Sequence, residues 1–335
     1  MRGPASAYNP AMAGDAQGLT SCVIPCFNHG AWVGEAVRSC LAQIGARVEV
    51  IVVDDGSDDG STPAACDALE GPGVRVVHQA NAGLPGARNA GAALATGDRL
   101  VFLDADDWIE PQFAQRLGEA LANDAAASHA YCQERLTDLG QGVVWRVPQW
   151  DPLTLLVTNL HPVTCLIRRD HFEAVGGFDA TMREGYEDWD LWLRFASRGW
   201  HGVRVREVLF NWRRHSHQTM IDDAVARHEA LYRRLLENHR AFFEKHALDA
   251  AVRANVMLRA AEGHWVDETG VPIELQYLRA VRDAFPSSDS IALARRLERI
   301  ARVLPTPLRA RLRHLATGNS PGSGVPHPAR GDQTG

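Results

Sequence analysis

The chain has 335 residues, 45% of them hydrophobic, and a formal net charge of −6 at pH 7. This is enough apolar sequence for one large domain or a domain with an extension, and the charge argues against a general nucleic-acid-binding surface. The N-terminus lacks a basic segment followed by an apolar core, and no run of about 18 apolar residues occurs, so we expect neither a signal peptide nor a membrane span. Six scattered cysteines without a C-x-x-C pair predict reduced, partly buried thiols in a cytoplasmic protein.

Residues 1–18 are rich in Ala, Gly and Pro without periodicity, which predicts a disordered leader. From residue 19, short apolar runs alternate with segments of helical periodicity. The predicted strands are 20–25, 48–53, 74–78 and 100–103, and the predicted helices are 32–43 and 86–95. Strands that alternate with helices indicate βαβ units, so the predicted fold class is α/β, with a mostly parallel, Rossmann-like sheet.

Three carboxylates follow the strand at 100–103, namely Asp104, Asp106 and Asp107. Ligands of open α/β sheets gather at the carboxyl ends of strands, and the alternation of side chains places Asp104 and Asp106 on one side. Two convergent carboxylates repel each other unless a cation joins them, and Mg²⁺ or Mn²⁺ commonly binds through one or two carboxylates plus substrate phosphates. The cluster therefore indicates a metal site, with a solvated loop of helix-capping acids as the alternative.

Three other segments are predicted at the same edge of the sheet. Phe27 could stack on a base or belong to the core, and Asp54 and Asp55 could accept hydrogen bonds from a base or a ribose. Arg88 could bind phosphate or a base carbonyl, or lie on a helix surface. Neither the dinucleotide fingerprint nor a phosphate-binding P-loop is present.

These four segments read V-I-P-C-F-N, V-V-D-D-G-S-D-D-G-S, N-A-G-L-P-G-A-R-N-A-G and F-L-D-A-D-D. In order and spacing they resemble the donor half of family 2 glycosyltransferases, which have the GT-A fold. The resemblance implies a nucleotide-diphosphate-sugar donor, most often uridine-based, held with a divalent cation, Mn²⁺ or Mg²⁺. It implies that Pro25 and Phe27 line the base, that Asp55 and Arg88 bind the base, that Asp104 holds the ribose, and that Asp106 holds the metal. The family usually has tyrosine where this chain has Phe27, so that hydroxyl contact is lost.

A second group of acids opens a predicted helix at 188–197, in the segment M-R-E-G-Y-E-D-W-D. Acids in a first turn are also stabilised by the helix dipole, so a structural role is the alternative. By the same resemblance, Asp188 would be the catalytic base that takes the acceptor proton, with inversion at the anomeric carbon. Glu187 would contact the acceptor or orient Asp188, and Trp189 would offer an aromatic face to a sugar.

A third motif, N-W-R-R-H-S-H-Q-T-M, follows a predicted strand at 203–210. The resemblance implies that His215 helps to bind the metal or the diphosphate, and His217 is the second choice for that role.

The predicted organisation is a catalytic domain at 19–220, with a nucleotide-sugar half at 19–110 and an acceptor half at 111–220. A helical extension at 221–317 and a disordered tail at 318–335 follow. The arginine-rich, partly apolar segment 293–315 could contact an anionic membrane surface from the cytoplasmic side, or form a solvated helix against the domain.

The resulting hypothesis is an inverting, metal-assisted glycosyltransferase of bacterial polysaccharide, glycolipid or other glycoconjugate synthesis. Its acceptor is an unknown carbohydrate, lipid-linked or other hydroxyl compound. One alternative is an inactive sugar-nucleotide-binding or scaffold protein of the same fold. Another is a nucleotidyltransferase, but this class would need an Arg or Lys in a glycine-rich N-terminal loop, and residues 25–34 contain neither.

Overall fold

The computed structural model describes residues 18–137, 143–213, 224 and 226–259. The two histidines His215 and His217, the segment 293–315 and the tail 318–335 lie outside the described residues, as does nearly all of the leader. The predictions made for them stay predictions.

The first half of the described chain alternates strands and helices. Its elements are β1 (Leu19–Cys26), α1 (Gly30–Leu41), β2 (Arg47–Asp54), α2 (Thr62–Asp67), β3 (Val74–His78), α3 (Leu84–Leu94) and β4 (Arg99–Phe102). All six elements predicted in this region lie within two residues of the observed bounds. The helix α2 has only six residues, too short for a clear hydrophobic period, and sequence reasoning missed it.

The second half is less regular. Its elements are β5 (Trp108–Ile109), α4 (Phe113–Ala122), β6 (Ala127–Thr137), β7 (Val143–Trp145), β8 (Leu166–Arg168), α5 (Arg169–Ala174), α6 (Glu187–Ser197) and β9 (His201–Arg213). A short 3₁₀ helix occupies Thr154–Leu156. Three further helices follow, α7 (His228–Asn238), α8 (Arg240–Lys245) and α9 (Ala247–Arg259).

In the described residues the strands form one sheet in the order β3-β2-β1-β4-β8-β6-β9-β5, with β7 paired to β6. The strands β3, β2, β1 and β4 are parallel to their neighbours, as predicted. Beyond β4 the sheet is mixed, because β8 pairs antiparallel to both β4 and β6, whereas β9 runs parallel to β6. The uninterrupted parallel part of the sheet is thus β3-β2-β1-β4, which lies within the predicted donor half.

Alternate residues of the parallel strands enter two core layers, which explains why these strands are apolar throughout. Val23, Ile51 and Val53 pack on the face that carries α3 and α6. Cys22, Val50 and Val52 pack on the opposite face, with α1 and α4. All six cysteines are buried free thiols. Among the described helices, none is long and apolar enough to cross a bilayer.

The packing of α3 on the sheet depends on Gly91. A methyl group at this position would lie 2.3 Å from Val23 Cγ1 and 3.1 Å from Val53 Cγ2. We expect Gly91→Ala to lower the free energy of unfolding by about 1–2 kcal/mol, since overpacking outweighs the gain in helix propensity. Urea denaturation measures this change. Gly71→Ala, where no atom lies within 4 Å of the new methyl group, is the control, and equal stability of the two variants would contradict the prediction.

Candidate active site

The carboxyl ends of the parallel strands are joined by backbone hydrogen bonds, each from a residue just after one strand to a residue in the neighbouring strand. The Asp55 amide donates to the Cys26 carbonyl, the Gln79 amide donates to the Asp54 carbonyl, and the Leu103 amide donates to the Val23 carbonyl. The loops after β1, β2, β3 and β4 therefore form one continuous edge, as predicted from the strand order. We call this edge the donor rim.

Two predicted base-lining residues differ in exposure at the donor rim. Phe27 is 42% exposed, so it is not a core residue and its ring is available for stacking. Pro25 is buried within β1, opposite Val53.

The adjacent acids Asp54 and Asp55 have different partners. Asp55 is buried and accepts hydrogen bonds from the Gln79 side chain at 2.7 Å and from the Ala82 amide at 2.8 Å, both through Oδ1. Asp54 accepts from His78 at 2.7 Å and from the Ser57 amide at 3.1 Å. The Ser57 and His78 bonds hold the pKa of Asp54 below its usual value even though burial opposes them. Asp54 thus stabilises the turn, while Asp55 fixes the loop before α3.

The D-A-D-D segment forms a turn after β4, in which the Asp107 amide donates to the Asp104 carbonyl. Asp104 and Asp106 are half-buried, whereas Ala105 and Asp107 are buried. This alternation agrees with the predicted common orientation of Asp104 and Asp106. Burial raises the pKa of Asp107 well above its usual range, and the nearby charges of Asp106 and Asp104 raise it further.

The turn is fastened to the end of β9 by Arg213. The Arg213 amide donates to the Asp107 carboxylate at 2.7 Å, and its Nε donates to the Asp106 carbonyl at 2.8 Å. Its guanidinium packs against the Trp32 and Trp108 rings, 4.3 and 4.8 Å from their centroids. Sequence reasoning passed over Arg213 in favour of the histidine after the R-R pair.

Arg88 connects the donor rim to the start of α6. It is 1% exposed, so the alternative of a surface arginine is excluded. Its guanidinium donates to Asp104 Oδ1 at 2.6 Å and to Glu187 Oε1 at 2.5 Å, although Glu187 is 99 positions away in sequence. Burial by itself lowers the pKa of Arg88, but Asp104 and Glu187 outweigh it and raise the pKa above its usual value. Arg88 is thus a permanent cation shared by both groups of acids.

The helix α6 begins at Glu187, directly after Tyr186, whose φ is 65°. Its first-turn acids have separate partners. Glu187 binds Arg88, whereas Asp190 accepts hydrogen bonds from His239 at 2.8 Å and from Arg194 at 2.9 Å. Asp190 is therefore structural and joins α6 to the chain between α7 and α8.

Asp188 is half-buried, and each of its carboxylate oxygens accepts one hydrogen bond. Oδ1 accepts from the Trp189 amide at 2.6 Å, and Oδ2 accepts from the Asn159 side chain at 2.9 Å. Burial and the adjacent Glu187 raise the pKa of Asp188 to about 7, against the opposing effects of Arg88, the Trp189 amide and Asn159. A carboxyl group with a pKa near neutrality is suited to general-base catalysis. No sequence signal pointed to Asn159, which lies in an irregular segment.

Trp189 is 3% exposed and packs in the core, where its indole N–H donates to the Leu155 carbonyl at 2.7 Å. The aromatic face that sequence reasoning expected it to offer to a sugar is covered here. The helical period already placed Trp189 on the apolar side of α6, and that signal favoured the core.

The described residues offer few protein ligands for a metal ion. They contain no group of three or more His, Cys, Asp or Glu side chains that could hold an ion by itself. Asp106 is half-buried at the donor rim. Its carboxylate could serve a cation that binds through one or two protein carboxylates and completes its coordination with substrate phosphates.

Comparison with known sequences identifies the domain. The sequence model of the family described as Glycosyl transferase family 2 matches residues 21–176, which include the donor rim, Arg88 and Asn159. Residues 21–176 form a family 2 glycosyltransferase domain. The resemblance carried by the four donor-half motifs is thereby confirmed.

Two curated relatives each match this chain over about 100 residues. The uncharacterized glycosyltransferase EpsJ of Bacillus subtilis (strain 168) is 39% identical over 102 residues, which cover 30% of this chain and 30% of EpsJ. The succinoglycan biosynthesis protein ExoO of Rhizobium meliloti (strain 1021) is 42% identical over 98 residues, covering 29% of this chain and 28% of ExoO. The chain spans about three tenths of the length of these relatives.

A solved structure supports the fold of the glycosyltransferase domain. The mannosyltransferase PcManGT from Pyrobaculum calidifontis, in complex with GDP-Man and Mn²⁺, superimposes with a TM-score of 0.53 at 19% identity. The match covers 93% of this chain and 88% of PcManGT. The predicted α/β architecture of the GT-A type is confirmed.

The Arg88 bridge gives a direct test of this arrangement. We expect Arg88→Ala to lower the free energy of unfolding by about 3–5 kcal/mol, because it leaves the buried Glu187 carboxylate without a partner. Guanidinium denaturation measures the change. The matched control is Arg116→Ala, since Arg116 also pairs with two acids, Glu119 and Glu207, but is exposed. We expect the control to change stability by about 0.5 kcal/mol or less. A loss in Arg88→Ala no larger than in the control would show that the bridge adds nothing.

Proposed function

We propose that this protein is an inverting, metal-assisted glycosyltransferase that moves a sugar from a nucleotide-diphosphate donor to an acceptor hydroxyl. The observation that supports it best is the Arg88 bridge, which joins Asp104 of the donor rim to the Glu187-Asp188 pair. The bridge brings a ribose-binding acid and a base of raised pKa to one site, as transfer between two substrates requires.

In the proposed reaction the acceptor oxygen attacks the anomeric carbon while Asp188 takes the hydroxyl proton. The bond from the anomeric carbon to the diphosphate oxygen breaks, and the nucleoside diphosphate leaves with that electron pair. Attack opposite the leaving group inverts the anomeric configuration. A divalent cation, held by Asp106 and, in the segment outside the described residues, by His215, would neutralise charge on the diphosphate.

On the donor side we assign Phe27 to stacking on the base, Asp55 to a base N–H and Asp104 to the ribose, with Pro25 shaping the end of β1. Arg88 is committed to two carboxylates, so we assign it to holding the site rather than to the base. A uridine-based donor is our first choice. The name of ExoO refers to succinoglycan biosynthesis, and we propose that this protein also acts in polysaccharide biosynthesis, close to the cytoplasmic membrane.

The role of Asp188 is tested by Asp188→Asn. We expect turnover to fall by about 10²–10⁴ while donor binding is nearly unchanged, because the amide keeps the shape but cannot take a proton. Release of nucleoside diphosphate in the presence of Mn²⁺ measures turnover, and calorimetry measures donor binding. Asp170→Asn, an exposed acid on α5, is the control and keeps normal turnover. Near-normal turnover in Asp188→Asn would remove Asp188 as the base. Donor binding without any turnover in the wild type would favour the inactive-protein alternative.

The role of Asp106 is tested by donor binding. We expect uridine and guanosine diphosphate sugars to raise the melting temperature of the wild type more with Mn²⁺ than with EDTA. In Asp106→Ala this metal-dependent difference should disappear, because the ion loses its carboxylate ligand. Asp170→Asn again serves as control. Retention of the full Mn²⁺ effect in Asp106→Ala would show that the ion binds elsewhere.

A further inference from the structure

Asn159 lies beside Asp188 in a segment that is held on both sides. Before it, the Leu155 carbonyl accepts the Trp189 indole N–H at 2.7 Å. After it, the imidazoles of His161 and His129 are joined through their Nε2 atoms at 2.9 Å, and both rings are buried. The Thr164 hydroxyl donates to the Phe102 carbonyl at 3.1 Å, which ties the segment to β4. The backbone on either side of Asn159 is therefore anchored to α6, β6 and β4.

The two polar atoms of the Asn159 side-chain amide have different surroundings. Its N–H group donates to Asp188 Oδ2 at 2.9 Å, whereas its oxygen is buried without a hydrogen-bond partner among the described residues. A buried acceptor without a partner destabilises the folded chain, because the atom has lost its hydrogen bonds to water. Rotating the amide by half a turn would not remove the cost, since it would place the oxygen against the Asp188 carboxylate. The amide thus leaves its oxygen unpaired and donates to Asp188.

We propose that Asn159 is a positioning residue for the general base, which together with the Trp189 amide fixes the plane of the Asp188 carboxylate for the acceptor hydroxyl. The proposal rests on the assignment of Asp188 as the base under the proposed function. One N–H donor on each carboxylate oxygen prevents rotation of the group and leaves a further lone pair on each oxygen to receive a proton. Asn159 acts through Asp188 and carries no proton itself.

The charged and titratable groups around Asp188 explain why a neutral donor is useful there. Glu187 is adjacent on α6, and Arg88 from α3 lies close enough to lower the pKa of Asp188. The charge of Asp188 in turn contributes to the raised pKa values of Tyr186 and of the buried Cys165 thiol. The Asn159 hydrogen bond favours the charged form of Asp188, against burial and Glu187. Asn159 does this without adding a charge to the site.

The experiment measures the titration of Asp188 directly. The Asp188 carboxyl carbon is followed by ¹³C NMR against pH in the full chain without donor, in wild type, Asn159→Ala and Asn159→Asp. Loss of the donated hydrogen bond raises the pKa in Asn159→Ala, and a second carboxylate raises it further in Asn159→Asp. Asn159→Asp keeps the shape of the side chain, so the test stands if Asn159→Ala does not fold. Asn123→Ala, an exposed residue after α4, is the control and titrates as wild type.

The same variants are assayed for Mn²⁺-dependent release of nucleoside diphosphate from the donor that stabilises the wild type. A general base works in its deprotonated form, so the rising limb of the rate against pH moves to higher pH as the pKa of Asp188 rises. At pH 7 we expect Asn159→Ala to lose about tenfold in turnover, the equivalent of about 1.4 kcal/mol, with an unchanged KM for the donor. The difference from wild type narrows as the pH rises, which a general loss of structure would not produce.

The outcomes separate the two proposals. If Asn159→Ala and Asn159→Asp titrate as wild type and keep its rate profile, the role of Asn159 is overturned while the proposed function stands. If Asp188→Asn turns over normally, the base assignment fails, and the positioning role fails with it. If no donor is turned over by the wild type, the proposed function fails, and the NMR titration alone decides whether Asn159 controls the Asp188 carboxylate.

Discussion

The guanidinium of Arg88 is the interaction on which the site depends. It is buried, it binds Asp104 and Glu187 at 2.6 and 2.5 Å, and it packs 5.6 Å from the centroid of the Phe178 ring. Burying a charge is costly unless it is paired and hydrogen-bonded, so these two carboxylates and the arginine stabilise one another only in this arrangement. The bridge therefore fixes the donor rim relative to the first turn of α6.

The chemistry proposed for Asp188 follows from a balance of opposing effects around one carboxyl group. Burial and Glu187 favour the protonated form, whereas Arg88, the Trp189 amide and Asn159 favour the charged form. The result is a pKa of about 7, which lets the group accept a proton near neutral pH. Asp190, two residues further along α6, is paired with His239 and Arg194. Burial raises the pKa of Asp190, but these partners outweigh it and hold the pKa below its usual value. Neighbouring acids of one helical turn thus have different properties because their partners differ.

Much of the donor half could be predicted from local sequence. The apolar runs and helical periods of residues 19–103 placed six elements within two residues of their observed bounds. The strand order that follows from βαβ units placed Asp55, Asp104 and Asp106 at one edge of the sheet. The irregular segments of the second half, including the one that holds Asn159, carry no periodicity, so their course was not predictable from the sequence.

The sequence by itself determined the α/β fold, the donor rim and the acids at the start of α6, because periodicity and the ends of strands are local properties of the chain. Only the tertiary structure decided the partners of those acids. Arg88 became a buried bridge, Trp189 a core residue, Asp190 a structural anchor and Asn159 a neighbour of Asp188. Each of these outcomes depends on a contact between residues distant in sequence, and such contacts form only when the sheet and its helices pack together.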